Sequence, residues 1–364
     1  MTLIKVKSRG TDNVTGRRNI IINGGMQVAQ RSTSAVTSVN GNYTTVDRVK
    51  AAFVTSGTVQ TQQVTDVPAG EGFSHSMKTT VTGTDTSIAG GDFFDLYQQR
   101  IEARNISTLM YGTSGAKRTS LSFYVKSNVT GIYNGTITNQ NDTVKLPFSF
   151  SISSANTWER IVIDNIPPIT TGSDGGTAWE TSTYVNLGAT VRIYGMLGSN
   201  YYGATNKVWN TAGTATSYGH QAQVNFLSST SNNFFITGVQ WEEGSAAGEF
   251  EHRTYDEELF LCQRYFQLIS GGCFPAASST TLEGSVTRRE MRAAPSISAT
   301  AALKVEDPSV TTYTQSSALV TTVQADAFAE KMQLKNFTGL STQRPYFLRN
   351  PASSSGQIRL EAEY

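Results

Sequence analysis

Residues 121–139, LSFYVKSNVTGIYNGTITN, carry the pattern that decides the fold class. Leu121, Phe123 and Val125 alternate with Ser122, Tyr124 and Lys126, as in a strand with one buried and one exposed face. Short apolar or alternating runs of the same kind recur between turn signals: AAFVTSGTVQTQQV (51–64), SHSMKTTVTG (74–83), KLPFSFSIS (145–153), WERIVID (158–164), TVRIYGML (190–197) and NFFITGVQWEEG (233–244). Strands repeated at this spacing predict an all-β protein, an antiparallel sandwich or barrel. Abundant Gly, Ser, Thr and Asn, with only 16% charged residues, agree with a chain of many short strands and turns.

A chain of 364 residues exceeds the usual limit of one hydrophobic core, so two units are expected. Residues 1–18 are polar and basic and read as an arm that orders against a partner. The sandwich is expected over 19–255, opening with NIIINGGMQVAQR (19–31) as strand, Gly-Gly turn and strand. Within 256–270 the period changes: Leu259, Cys262, Phe266 and Ile269 fall at helical spacing and Asp256 is placed to cap, which predicts a linking helix. Beyond it, MRAAPSISA (291–299), ALVTTVQ (318–324), AEKMQLKNF (329–337) and QIRLEAEY (357–364) predict a smaller C-terminal β domain over 271–364.

With 29 basic against 28 acidic side chains the formal charge is +1, which gives no global field to gather nucleic acid or an anionic membrane. No run is long and apolar enough to span a bilayer, and the start of the chain lacks the apolar stretch of a cleaved signal. Cys262 and Cys273 are too few for a disulfide framework and read as ordinary thiols, with a single bridge as the alternative.

The sequence offers little to a catalytic reading. His75, His220 and His252 lack a second ligand at metal spacing, and no nucleophile elbow, phosphate loop or dinucleotide fingerprint is present. No cofactor or metal is expected. Paired carboxylates for sugar hydrolysis are limited to Asp92 with Asp95 and Glu242 with Glu243, and neighbouring acids in a strand point to opposite faces.

The aromatic chemistry is more informative. Sugar C–H faces stack on aromatic rings while sugar hydroxyls pair with amides or carboxylates, so a saccharide site wants Tyr or Trp beside Asn, Gln or Asp. Tyr201, Tyr202, Trp209 and Tyr218, with Asn206 and Asn210 among them, form the candidate cluster in the loop-rich stretch 166–221. The competing expectation is that these rings pack under loops or between subunits. Trp158, at a strand start, is expected in the core.

Several ordered motifs also resemble a known family. GRRNIIINGGMQVAQR (16–31), YTTVDRV (43–49), VPAGEGFSHSMK (67–78), YQQRIEA (97–103), YGTSGAKRTSLSFYVKSNVTGIYNG (111–135), SSANTWERIVI (153–163) and FFITGVQWEEGSAAGEFEHRTYDEELFLCQRYF (234–266) together resemble phage tail-fibre or virion-associated proteins of marine and cyanobacterial phages. The resemblance covers about residues 16–267. It implies a carbohydrate-binding-module-like jelly roll displayed on a virion, made in the host cytoplasm, with host-surface glycans, tail or baseplate proteins and further copies of itself in a homotrimer as partners. A tail-fibre role in adsorption is the leading expectation, a purely architectural virion subunit the second and a polysaccharide-degrading tailspike the third. Attachment is expected through the basic arm, with Lys5, Lys7, Arg9, Arg17 and Arg18 as candidate contacts. Two departures stand out: Trp241 occupies a closing-strand position where a Leu is usual, to fill a core gap or face a neighbouring chain, and no coiled-coil shaft is present, which favours a short fibre or baseplate tip.

Overall fold

The alternating runs do form strands. The structure, a computed structural model, describes residues 18–170, 179, 185–210, 215–325, 329–348 and 356–364. The first unit contains β1 (Val36–Thr37), β2 (Phe53–Val54), β3 (Thr58–Val64), β4 (Ser76–Gly83) and β5 (Phe93–Glu102). After a short helix α1 (Ala103–Ile106) come β6 (Thr119–Ser127), β7 (Gly131–Asn139), β8 (Lys145–Ile152), β9 (Glu159–Ile166), β10 (Leu187–Leu197) and β11 (Asn233–Glu243). They build a six-stranded sheet in the order β1-β3-β4-β11-β6-β9 and a five-stranded sheet in the order β2-β5-β10-β7-β8. All pairings are antiparallel, and the chain crosses repeatedly from one sheet to the other, giving the expected jelly-roll-like sandwich.

Leu121, Phe123 and Val125 are fully buried between the sheets, as their alternation requires. From the opposite sheet Ile137, Leu146, Phe148, Val191 and Ile193 meet them in one large apolar core. Gly135 is needed here because the Phe148 ring lies across it: a β-carbon at that position would stand 2.2 Å from the ring. Trp241 fills the same core beside Tyr111 rather than facing outward.

Residues 19–31 do not form the expected strand pair. They fold as an irregular plug against β11 and the segment after it. Ile20 N–H donates to the Trp241 carbonyl at 2.9 Å, and Val239 N–H donates to the Gly24 carbonyl at 3.0 Å. The left-handed turns fall on Asn23 and Met26, not on the Gly-Gly pair. Asn23 tolerates this because its side chain closes the turn itself, accepting from Val28 N–H and donating to the carbonyls of Val28 and Asp47. Gly24 is required for a different reason: a β-carbon there would lie 2.1 Å from the Val239 carbonyl oxygen.

The linking helix α2 (Tyr255–Cys262) is shorter than the sequence suggested. Its N-cap is Thr254, which forms a capping box with Glu257, so Asp256 lies inside the first turn instead of capping it. Phe266–Ile269 is a strand, β12. A four-residue step from Cys262 to Phe266 fits one helix face, but it is also an even step and fits one strand face equally well. Pairing with the C-terminal strand decides between them. Cys262 is buried and Cys273 exposed, both as free thiols.

The second unit continues with β13 (Cys273–Pro275), β14 (Leu282–Thr287), β15 (Ser296–Ala299), β16 (Lys304–Glu306), β17 (Thr312–Thr314), β18 (Val320–Ala325), β19 (Ala329–Leu334), β20 (Pro345–Leu348) and β21 (Ile358–Glu361). Among the described residues these strands form three small sheets, β12-β21-β15, β13-β20-β16-β17 and β14-β19-β18, around a separate apolar core that includes Phe274, Met332, Tyr346 and Leu360. Charged side chains join the units. Arg31 contacts Asp47, Glu361 and Glu363, while Arg48 pairs with Glu363 and lies over the Tyr265 ring at 3.4 Å.

Candidate functional site

The outer face of the five-stranded sheet is polar yet almost completely covered. Register places Asp95 beside Tyr194, Gln98 beside Arg192 and Arg100 beside Thr190 on β5 and β10. The rows continue through Asn134, Thr136 and Thr138 on β7 to Lys145 on β8. The intervening residues of the same strands, such as Val191, Ile193 and Ile137, point into the core.

Two loop segments close over this polar face. Thr136 Oγ1 donates to the Tyr218 carbonyl, Asn134 Nδ2 donates to the Gln221 carbonyl at 2.7 Å, and Gln223 Nε2 donates to the Tyr194 carbonyl at 3.1 Å. Asn210 exchanges two backbone hydrogen bonds with Lys145, at 2.8 and 2.7 Å, and Asn206 Oδ1 accepts from Ser149 N–H. The loops are therefore pinned at several points rather than held at their ends alone.

Where the cover ends, a pocket of about 120 Å³ opens, lined by Phe93, Arg192, Tyr194, Leu197, Tyr201 and Tyr218. Tyr201 and Tyr218 meet edge to face at 5.7 Å, and Tyr201 meets Phe93 in the same manner at 5.7 Å. The Tyr218 ring also has the Lys145 ammonium 4.6 Å and the Arg192 guanidinium 5.6 Å from its centre. Arg192 also pairs with Asp142 at 3.0 Å.

Electrostatics make the face unusual. Neither carboxylate oxygen of buried Asp95 has a hydrogen-bond partner, and the same holds for Gln98 Oε1 and Arg192 Nε. Burial pushes the Asp95 carboxyl up to about 7, with the Arg192 guanidinium holding back part of the rise. Burial likewise raises the Tyr218 phenol to about 12, and it lowers the Lys145 ammonium. A buried polar group without a partner costs free energy, so Asp95 and Gln98 are destabilising features of this face.

The structure divides the sequence candidates. Tyr201 and Tyr218 meet in the pocket, and Tyr202 lies next to them, bridged to Gly219. Trp209 is excluded: it packs against Tyr111 and Trp179 at the edge of the core, and its indole N–H donates to the Pro167 carbonyl at 2.7 Å. Asn206 and Asn210 hold the loop to β8 rather than line the opening. Trp158 is half-buried on the outside of the six-stranded sheet, donating to Asp66 at 3.1 Å, and is not core. Sequence reasoning missed Phe93, Arg192 and Tyr194. A lone Arg between Val191 and Ile193 in an otherwise apolar strand was the available signal, because such an arginine needs a polar layer to face.

The paired acids do not converge. Asp92 caps a turn by accepting from Ala89 N–H, whereas Asp95 is buried on the polar face. Glu242 is engaged by Arg18, Gln240 and Gly248 N–H, and Glu243 pairs with Lys117 at the surface. Among the described residues no cluster of His, Cys, Asp and Glu has the arrangement of a metal site, and no helix is long and apolar enough to cross a membrane. Of the expected attachment contacts, Lys5, Lys7, Arg9 and Arg17 lie outside the described residues. Arg18 is tied to the sandwich through its contacts with Glu242 and Glu251 and the Glu249 carbonyl.

No family model matches the chain, and no curated protein does. Among solved structures it is similar to a putative sugar binding protein from Bacteroides thetaiotaomicron, with 14% identity over 62% of this chain and 100% of that one and a TM-score of 0.32. It is also similar to the family 11 carbohydrate-binding module from Clostridium thermocellum in complex with a mixed-linked tetrasaccharide, with 14% identity over 61% of this chain and 100% of that one and a TM-score of 0.28. A third similarity is to the enzymatically active domain of Bacteriophage CBA120 tailspike protein 4, with 14% identity and a TM-score of 0.30 over 62% of this chain. That match takes in 21% of the tailspike chain.

Proposed function

We propose that the chain is a non-enzymatic glycan-binding protein of a phage tail fibre, which contacts host-surface saccharides at the Tyr201–Tyr218 pocket. The observation that carries the reading is the pairing, in one opening, of aromatic walls with the Arg192 guanidinium. Tyr201 and Tyr218 offer ring faces and edges to sugar C–H groups, and the Arg192 guanidinium in the lining offers N–H donors to a sugar hydroxyl. The volume suits one ring-sized group, such as a terminal sugar. The tail-fibre placement rests on the order of motifs in residues 16–267. In this reading the protein is a homotrimer at the periphery of the virion, joined to tail or baseplate proteins through its basic N-terminal arm.

A glycan array probed with multivalently displayed protein tests the proposal. Wild type is expected to bind a restricted set of saccharides, and Tyr201→Ala and Tyr218→Ala are expected to weaken binding at least tenfold with little change in melting temperature. A silent array, or variants that bind as wild type does, overturns it. An architectural role is the second reading, favoured by Tyr255 and Phe260, which α2 leaves about half exposed as an apolar surface for a neighbouring subunit. Particles lacking the protein that assemble but fail to adsorb support the adhesive reading. Particles that adsorb normally support the architectural one.

A further inference from the structure

A second opening lies where the two units meet. Strand β21 alternates strictly: Ile358 and Leu360 enter the C-terminal core, while Arg359 and Glu361 stand on the other face, with Glu363 following them. Register adds Ser296 beside Glu361 on one side and Phe266 on the other, so the outer face of the sheet β12-β21-β15 forms a floor. The sandwich supplies the facing wall through Arg31, Asn42 and Tyr43. The groove between them measures about 560 Å³, within the range of sites that hold small molecules, and junctions between units are a common place for such sites.

The groove is held open by buried charge. Arg31, whose side chain is 4% exposed, contacts Asp47, Glu361 and Glu363, and its guanidinium lies 3.8 Å from the centre of the Phe266 ring and 5.3 Å from that of Tyr43. Tyr43 adds a buried hydroxyl without a hydrogen-bond partner. Two guanidinium groups, Arg31 and Arg359, are balanced by the carboxylates Glu361 and Glu363 in the lining. Such a lining exerts no net field in favour of an anion or a cation, yet it is dense in fixed donors and acceptors beside Tyr43 and Tyr364. A neutral ligand with many hydroxyl groups satisfies those conditions.

We infer that this groove is a second binding site, separate from the Tyr201–Tyr218 pocket, and that it takes a short neutral oligosaccharide. The site goes beyond the pocket and does not depend on it. Hydrogen–deuterium exchange on the full chain, with a panel of neutral trisaccharides at saturating concentration and a sialylated trisaccharide as anionic comparator, tests it. Protection of residues 31–44 together with 296–299 by at least one neutral member, and not by the anionic one, is the expected result. Protection confined to the strands and loops around Arg192 and Tyr218 overturns the groove while upholding the pocket. Protection confined to the groove does the reverse. Absence of protection at both rims with every neutral member also overturns the groove. Ser296→Trp and Asn42→Trp, at exposed positions on opposite rims, are expected to abolish the rim protection and leave binding at the pocket unchanged. Rim protection that persists in both variants overturns the assignment.

Discussion

On the inner side of the five-stranded sheet, Val191, Ile193, Ile137, Leu146 and Phe148 touch other apolar groups, whereas on the outer side, one residue along each strand, Thr190, Thr136, Thr138 and Lys145 are shut away from water almost as fully. The two faces differ in what burial does for them. Inside, each apolar group removed from water stabilises the fold. Outside, burial costs free energy wherever a polar atom lacks a partner, and it is tolerated because the covering loops return hydrogen bonds to Asn134 and Thr136. Asp95 has no such return, so its burial is not offset by hydrogen bonds.

Three substitutions would break or sharpen this contrast. The largest effect is expected inside: Phe148→Ala should cost about 3–5 kcal/mol, measured by denaturant unfolding, because the cavity opens beside Gly135, which has no side chain to refill it. A loss below about 1 kcal/mol would show that the inner face is not tightly packed.

Asp95→Asn is expected to act through pH. The Asp95 carboxyl binds its proton more tightly in the folded chain, at about 7, than in the unfolded one, at its ordinary value of 3.8. Folding stability from this group is therefore fully present below about pH 4 and falls as pH rises towards 7, after which it is level. Relative to wild type, the Asn variant should lose that fall, gaining up to about 4 kcal/mol between pH 4 and pH 8. Asp47, which burial raises to about 6, stays in both proteins, so the difference between the two profiles isolates Asp95. Parallel profiles would mean that Asp95 finds a partner in solution. The smallest effect belongs to Thr136→Val, an isosteric change that removes the hydroxyl bonded to the Tyr218 carbonyl. It should cost about 1 kcal/mol and speed amide exchange at 218–221, and unchanged exchange there would argue that the loop is held by other contacts.

The sequence made the inner face legible because alternation is a statement about apolar burial, and Leu121, Phe123 and Val125 behave accordingly. The outer face was harder to read. Polar residues such as Thr136, Thr138 and Asn134 are normally taken as solvent-facing, and the loop carbonyls that bond Asn134 and Thr136 come from residues more than 80 positions away. Of the aromatic cluster, Tyr201 and Tyr218 meet in one opening, but the sequence does not separate Trp209 from them, since nothing local distinguishes a ring that plugs the core edge from one that lines an opening. The plug at 19–31 differs from the expected strand pair for a related reason. An Ile-rich run before Gly-Gly has the composition of a strand, and only its distant partners make it irregular. The helix end at Cys262 was misplaced because a step of four residues keeps both a helix face and a strand face.

The plug also sets an order of events during synthesis. Asn23 N–H is held by Glu258, 235 positions later, and the carbonyls of Asn19 and Ile21 are held by Arg253. An early segment that contains Ile20, Ile21 and Ile22 must therefore wait, with its natural neighbours not yet made, until residues as late as Glu258 have left the ribosome. Closure over so long a loop is slow, and the waiting apolar stretch is exposed to other chains in the meantime. A chaperone that shields residues 19–31 until α2 emerges would have its greatest influence on this protein's yield.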